Sequence, residues 1–145
     1  MKTLLNEVRM RFMAVSENES FARSVAVTFA SQASPTVTQL ADIKCAVSEA
    51  VTNCIVHAYP DGGGTVELTL RRYSGGEIVI AIKDRGVGIA DVEAAREPLF
   101  TTDTTGERSG MGFAIMESMT DHLTVRSKTG RGTTVTMRIK VGAYA

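Results

Sequence analysis

Glu49 and Asn53 lie four residues apart in the otherwise apolar segment 44–59. Four residues are about one helical turn, so a helix here would place both side chains on one face. A carboxylate beside a carboxamide can accept a proton and ligate a cation, provided that another segment holds a phosphate nearby. Without such a segment, a solvated helix face explains Glu49 more simply. His57, one turn beyond Asn53, is more simply a hydrogen-bonded neighbour than a catalyst.

The turn Asp84-Arg85-Gly86-Val87-Gly88 is a second candidate, because its carboxylate comes at the end of an Ile/Val-rich segment. A carboxylate there can accept a hydrogen bond from an exocyclic amine such as that of adenine. The two glycines would let the backbone approach a flat ligand. Taken singly, however, an Asp-x-Gly-x-Gly sequence is more often only a turn.

The glycine-rich segment 106–112 leads into an apolar helical segment at 113–119. A turn of this kind can bind phosphate, because its free N–H groups and the helix dipole both favour an anion. It is neither a GxxxxGK[ST] loop nor the dinucleotide fingerprint, and glycine before a helix can also be a simple breaker. Asn53, Asp84 and Gly110 together nevertheless supply the parts needed to hold Mg²⁺, a base and phosphates.

Hydrophobic periodicity predicts the elements that position these residues. Alternation with a period of two predicts five strands, mostly joined as hairpins, at 7–15, 65–72, 77–83, 123–127 and 133–140. Helical spacing predicts three principal helices: one at 17–31, a central one that the turn 59–64 ends, and one at 113–119. A short helix is also possible at 91–97. We therefore expect a two-layer α/β (α+β) sandwich, with helices on one face of a largely antiparallel sheet.

Both long helices carry candidate capping boxes. Ser16 and Glu19 have the required spacing before the first helix, and Thr36 and Gln39 have it before the central helix. In the first helix, Phe21 begins a series of apolar residues at helical spacing that continues with Val25 and Phe29.

The composition fits one domain over residues 1–145, without cross-links. Sixteen basic and sixteen acidic side chains give no field that would attract nucleic acid or an anionic membrane. The N-terminal segment has charges where a signal peptide needs apolar residues, and no apolar run is long enough to span a membrane. Cys45 and Cys54 are about 13 Å apart along a helix and cannot pair, so we expect small buried hydrophobic residues in a reducing, cytoplasmic compartment.

Segments 49–53, 84–88 and 106–112 resemble the N, G1 and G2 boxes of the GHKL superfamily, which contains gyrase, Hsp90-type chaperones, histidine kinases and mismatch-repair ATPases. Within it, the chain is similar nearly end to end to the small anti-sigma serine kinases of Gram-positive spore formers, and most of all to their sporulation branch. The similarity is carried by ENESFAR, VSEAVTNCIVHAY, DRGVGI, AREPLFTT and ERSGMGFAIME. The departures lie in the PDGGG turn, the DTTG segment and the C-terminal tail.

This resemblance implies a GHKL (Bergerat-type) ATP-binding fold and a role for each candidate residue. Asn53 would coordinate the Mg²⁺ that bridges the ATP phosphates. Asp84 would bind the adenine amine with support from Thr134, which lies in a motif that completes the nucleotide pocket. Glu49 would act as general base on a serine hydroxyl of a protein substrate. Arg108 is the candidate cation of a lid over the phosphates, with a solvated loop arginine as the alternative. The other implied nucleotide contacts are Gly86, Gly88, Thr101, Gly110, Met111 and Gly112.

Other members of the superfamily fit the chain less well. A histidine kinase carries its phosphoacceptor histidine on a separate helical segment, and neither His57 nor His122 is so placed. Gyrase, chaperone and mismatch-repair functions need a second domain that 145 residues cannot hold. What remains is a kinase that phosphorylates a small antagonist protein (an anti-anti-sigma factor) and a module that sequesters a sigma factor. A general-stress relative and a non-catalytic sequestering module remain alternatives, although Glu49 favours catalysis.

The resemblance also implies a homodimer built through the first strand and the first helix. The sigma factor would dock across this dimer, with Ser20 and Arg23 as candidate contacts that the antagonist protein shares or competes for. Such an interface should leave an exposed apolar patch on the isolated protomer.

Overall fold

The computed structural model describes residues 2–97 and 112–142 of the chain, and the structural statements that follow concern these residues. The strands are β1 (Leu4–Met13), β2 (Thr65–Tyr73), β3 (Glu77–Asp84), β4 (His122–Lys128) and β5 (Gly132–Lys140). The helices are α1 (Glu17–Ala30), α2 (Val37–Asn53), α3 (Val92–Arg96) and α4 (Gly112–Ser118), with a 3₁₀ turn at Ser31–Ala33 and a π-helical turn at Cys54–Ala58. None of the described helices is long and apolar enough to cross a membrane.

The five strands form one antiparallel sheet in the order β1-β2-β3-β5-β4. After β3 the chain passes through α3 and α4 to the edge strand β4, and a hairpin then returns it as β5 beside β3. This arrangement confirms the predicted antiparallel α+β architecture. Asp84, the last residue of β3, therefore lies in the interior of the sheet, with β5 on one side and β2 on the other.

The core lies between one face of the sheet and the helices. Alternate residues of the three inner strands point into it, and α2 covers them with its apolar stripe. The fully buried large side chains are Ile43, Val47, Val51, Val66, Leu68, Leu70, Ile78, Ile80, Ile82, Met116 and Met137. Burial of each such side chain contributes roughly 1.5–3 kcal/mol to folding. This packing fixes the face of the sheet on which the side chain of Asp84 lies.

One of the two predicted capping boxes is confirmed. Gln39 N donates to Thr36 Oγ1 at 3.1 Å, and Thr36 N donates to Gln39 Oε1 at 2.8 Å. The box predicted at Ser16 and Glu19 is wrong, because Ser16 makes no side-chain cap to α1. The Glu19 carboxylate instead accepts a hydrogen bond from Ser48 on α2.

Several predicted boundaries and faces also need correction. β1 begins at Leu4 and ends at Met13, so the predicted strand at 7–15 starts and ends too late. In α1 the core side chains are mainly small, namely Ala22, Ala26, Phe29 and Ala30. Phe21 is 52% exposed, so it does not belong to the buried face that helical spacing predicted.

Candidate functional site

The central helix changes geometry where the candidate residues lie. α2 ends at Asn53, and the chain continues through the π-helical turn Cys54–Ala58. A π turn has i→i+5 hydrogen bonding, and such turns are frequent at functional sites. Here the turn lies along the loop that follows β3: Ala58 O accepts a hydrogen bond from Val87 N at 2.9 Å. The Tyr59 hydroxyl accepts one from Arg85 N at 2.7 Å.

The carboxylate of Asp84 is only 5% exposed and is held by three donors. Its Oδ1 accepts hydrogen bonds from Gly86 N at 3.0 Å and from Thr133 N at 3.2 Å. Its Oδ2 lies 3.5 Å from Cys54 Sγ, which donates to it. Burial raises the pKa of Asp84 above its ordinary value, and these three hydrogen bonds oppose the increase. Asp84 is therefore an oriented hydrogen-bond acceptor that water reaches poorly.

Thr133, rather than Thr134, supports Asp84. In the ladder between β3 and β5, Thr133 lies opposite Asp84 and Thr134 lies opposite Lys83. Side chains alternate along a strand, so the Thr134 side chain is on the face of the sheet away from Asp84. The prediction that Thr134 supports Asp84 is therefore wrong. The sequence does indicate Thr133, because it alternates in step with the apolar residues of the same strand and therefore lies on their face of the sheet.

Ser127, on β4, anchors the loop after Gly88 and has no counterpart among the residues predicted from the sequence. Its Oγ accepts a hydrogen bond from Ile89 N at 2.7 Å and donates to Gly132 O at 3.0 Å. The same atom lies 2.8 Å from Thr133 Oγ1. One hydroxyl thus joins the loop, the end of the β4–β5 hairpin and the strand residue opposite Asp84.

Gly86 and Gly88 are required by close packing of the protein backbone. A Cβ atom at Gly86 would lie 2.1 Å from Ala58 O in the π turn. A Cβ atom at Gly88, where φ is +76°, would lie 2.3 Å from Lys128 O. The loop is therefore held between the π turn and the end of β4. Whether these glycines also touch a nucleotide stays a prediction.

Glu49 and Asn53 meet at the first residue of α4. A Cβ atom built on Gly112 would lie 3.2 Å from both amide atoms of the Asn53 side chain and 3.4 Å from Glu49 Oε2. The structure thus places Glu49 and Asn53 together, as helical spacing predicts, and it brings Gly112 of α4 next to both. Since Cys54 directly follows Asn53, the same stretch of chain reaches both this group and Asp84.

A groove of about 230 Å³ leads from Glu49 to α1, and Arg23, Lys44 and Ser48 also line it. Arg23 Nη1 lies 3.4 Å from Glu19 Oε1 on the same helix. The same Glu19 carboxylate accepts the hydrogen bond of Ser48, the residue before Glu49. Ser20, on α1, is exposed.

Four of the predicted site residues, Thr101, Arg108, Gly110 and Met111, lie outside the described residues, and their roles stay predictions. In the described ranges 2–97 and 112–142, no group of three or more His, Cys, Asp or Glu side chains could hold a metal ion. Cys45 and Cys54 are free thiols.

Comparison with known proteins identifies the class. Residues 12–139 match the family described as histidine kinase-like ATPase domain. The RsbU and RsbW domains of Rv1364c from Mycobacterium tuberculosis share the fold with a TM-score of 0.64 at 17% identity, over 94% of this chain and 33% of theirs. The blue-light activated histidine kinase of Erythrobacter litoralis has a TM-score of 0.58 at 27% identity, over 74% and 32%. The chain thus spans about a third of the length of either structure. Fold and site define an ATP-binding domain of the histidine kinase-like (GHKL) class.

More similar sequences identify the family within that class. The anti-sigma F factor of Thermoanaerobacter pseudethanolicus is 48% identical over 139 residues, which are 95% of this chain and 96% of that protein. The anti-sigma F factor of Clostridium acetobutylicum is 46% identical over 137 residues, 94% and 95% of the two chains. The chain belongs to the anti-sigma F factor family. This family is one of serine protein kinases with a GHKL ATPase domain, which confirms the resemblance described above.

Proposed function

We propose that this chain binds and inhibits a sporulation sigma factor of the F type, and that it uses Mg·ATP to phosphorylate a serine of an anti-anti-sigma protein. One domain would carry both activities. The observation that supports the proposal is that Glu49, Asn53 and Gly112 lie together, while Cys54, the residue after Asn53, contacts the buried acceptor Asp84. These two groups have the chemistry required at the two ends of ATP, a general base and a cation ligand at one end and a purine acceptor at the other.

Asp84 would accept a hydrogen bond from the 6-amino group of adenine. Its Oδ1 already accepts two backbone N–H groups, so Oδ2 is the atom available to the amine. Guanine presents a carbonyl oxygen at the same ring position, and a carboxylate repels it. Burial to 5% exposure strengthens this discrimination, because little water competes for the acceptor.

Asn53 would ligate Mg²⁺ through its side-chain oxygen. Mg²⁺ is usually bound by one or two protein oxygens together with substrate phosphates and water, so a single carboxamide suits it. The ion, once bound, neutralises charge on the phosphates. Asn53 is half-buried at the end of α2, where the start of the π turn fixes its backbone.

Glu49 would take the proton of the substrate serine. The serine oxygen forms a bond to the γ-phosphorus while the bond from that phosphorus to the β–γ bridging oxygen breaks, and ADP leaves. The proton remains on the Glu49 carboxylate until solvent removes it. Arg108, Thr101, Gly110 and Met111 would contribute donors around the phosphates.

The groove between Glu49 and Arg23 suits a segment of a protein substrate. One end of the groove is formed by Arg23 on α1, and the exposed Ser20 lies on the same helix. We propose Ser20 and Arg23 as contacts of the partner proteins. Glu19 holds Arg23 and also bonds Ser48, so the docking end and the catalytic end of the groove share a hydrogen-bonded link. A substrate bound at Arg23 would thus lie against an α1 whose position relative to α2 is held by the Glu19–Ser48 hydrogen bond.

A homodimer through β1 and α1 is supported by the distribution of apolar surface. Six of the eight large apolar side chains that are exposed in the described ranges belong to the first 21 residues: Leu4, Leu5, Val8, Met13, Val15 and Phe21. Such a concentration is typical of an interface. β1 is also an edge strand, with β2 as its only described neighbour in the sheet.

The experiment is incubation of the purified chain with Mg·ATP labelled at the γ-phosphate, together with candidate anti-anti-sigma proteins. We expect labelled phosphoserine on the substrate that depends on Mg²⁺, and retention of the F-type sigma factor in a parallel binding assay. ATP binding and sigma retention without any phosphoserine would favour a sequestering module. Selective retention of a general-stress sigma factor would instead favour that branch of the family.

A further inference from the structure

Cys54 lies between the two ends of the proposed nucleotide site. It is the first residue of the π turn, directly after Asn53, and it is 4% exposed. Its Sγ is 3.5 Å from Asp84 Oδ2. The mechanism described so far gives this thiol no role, and its sequence context predicts only a small buried residue.

The acceptor positions of the Asp84 carboxylate can be counted. A carboxylate offers about four lone-pair positions, two on each oxygen. Gly86 N and Thr133 N occupy both positions of Oδ1. The Cys54 thiol occupies one position of Oδ2. Since each carboxylate oxygen has two such positions, the thiol leaves the second position of Oδ2 for a ligand.

The thiol is the donor in this contact. An ionised carboxylate only accepts hydrogen bonds, whereas a thiol has one S–H group to donate. The Cys54 sulfur therefore directs its proton to Asp84 Oδ2.

We infer that Cys54 is a positioning residue for adenine recognition, whose thiol orients Oδ2 of Asp84 and leaves one acceptor position for the exocyclic amine. The inference rests on the proposed function, because it requires that Asp84 binds adenine. Cys54 itself need not touch the nucleotide. The π turn makes this possible, since it carries the cysteine against Asp84 directly after Asn53 has completed α2.

A packing role and a positioning role have different consequences. If Cys54 only fills space, its truncation weakens binding of every purine nucleotide by the same factor. If it orients Oδ2, its truncation selectively weakens nucleotides that have a 6-amino group. Purine riboside triphosphate, which lacks that group, is therefore the matched probe for ATP.

The test measures the affinities of ATP and of purine riboside triphosphate for wild type, Cys54→Ala, Cys54→Val, Cys54→Ser and Asp84→Asn by calorimetry. The alanine and valine variants both remove the donor, and valine keeps the space filled. The serine variant keeps a donor. Thermal unfolding of each variant shows whether it is folded. If either Cys54→Ala or Cys54→Val does not fold, the other still tests removal of the donor.

We expect wild type to bind ATP about tenfold more tightly than the analogue, and Asp84→Asn to abolish the preference. The preference should fall by about three- to fivefold in both donorless variants and should return to within about twofold of wild type in Cys54→Ser. Equal losses of affinity for both nucleotides in Cys54→Ala and Cys54→Val would overturn the inference, as would failure of Cys54→Ser to restore the preference. If wild type lacks the preference, the adenine contact of Asp84 is itself wrong, and the inference fails with it.

Discussion

Thr133 and Asp84 face each other across β5 and β3, and the Thr133 amide nitrogen lies 3.2 Å from Asp84 Oδ1. The Thr133 hydroxyl lies on the same face of the sheet, 2.8 Å from Ser127 Oγ. The purine end of the proposed site is therefore built by three adjacent strands, with a loop clamped over their ends by Ser127.

Thr133→Val should weaken ATP binding and stability together. The substitution keeps the shape of the side chain but removes a hydroxyl that is hydrogen-bonded to Ser127. Thr133 is only 8% exposed, so water cannot readily replace that hydrogen bond. We expect a loss of about 1 kcal/mol in the free energy of unfolding and a several-fold weaker affinity for ATP. Thr134→Val, on the opposite face, is the matched control and should change both by little. Denaturant unfolding and calorimetry check the pair, and a larger effect at Thr134 would contradict the register.

Gly86→Ala should disrupt the loop after β3, because its Cβ would lie 2.1 Å from Ala58 O. We expect a loss of about 2 kcal/mol or more in unfolding free energy, together with a large loss of ATP affinity. Gly130→Ala is the control. Its φ is +79°, but no atom lies within 4 Å of its Cβ, so only the backbone strain of about 1 kcal/mol applies. Equal stability of the two variants would show that the contact with Ala58 is not restrictive.

Asp84→Asn should separate stability from binding. Burial raises the pKa of Asp84 above its ordinary value of 3.8, so the folded protein holds this proton more tightly than the unfolded chain does. The contribution of the group to stability is thus fully present below pH 3.8 and is lost as the pH rises through the raised value. At neutral pH the asparagine variant should be at least as stable as wild type, yet bind ATP much more weakly. Unfolding measured at several pH values tests the first part. Equal losses of ATP and GTP affinity would contradict adenine recognition.

Tyr59→Phe should loosen the same loop from its other side. The Tyr59 hydroxyl accepts a hydrogen bond from Arg85 N and donates one to Thr65 O, both at 2.7 Å. Removing the hydroxyl leaves these two backbone groups without this partner. We expect the free energy of unfolding to fall by about 1.5 kcal/mol and ATP to bind measurably more weakly. Tyr73→Phe, at the opposite end of β2, should leave ATP affinity unchanged. Hydrogen exchange of the Arg85 amide is the direct readout, and unaltered protection would refute the link.

The fold was largely predictable, because alternation and helical spacing are properties of contiguous residues. Glu49 and Asn53 could be paired because both belong to regular α-helix. Asp84 could be recognised because an apolar strand ends there. Even Thr133 could have been chosen over Thr134, since Val135 and the alternate residues after it mark the buried face.

The rest depends on long-range geometry. Beyond Asn53 the helix no longer turns at 3.6 residues, so extrapolated spacing cannot show that Cys54 reaches Asp84. Ser127 acquires its role only through the register of β4 against β5. Glu19 has the spacing of a capping residue, but because α1 packs on α2 its carboxylate accepts a hydrogen bond from Ser48 instead.

The central claim is that Glu49 and Asn53 serve phosphoryl transfer to a protein serine, and the rate of phosphoserine formation at saturating Mg·ATP in Glu49→Gln tests it most directly. Glutamine keeps the size of the side chain but is no longer a base. We predict a rate at least about 100-fold below that of wild type, with Mg·ATP affinity within about threefold. Glu93→Gln, at an exposed position of α3, is the control and should match wild type. Phosphoserine formation at the wild-type rate in Glu49→Gln would contradict the account.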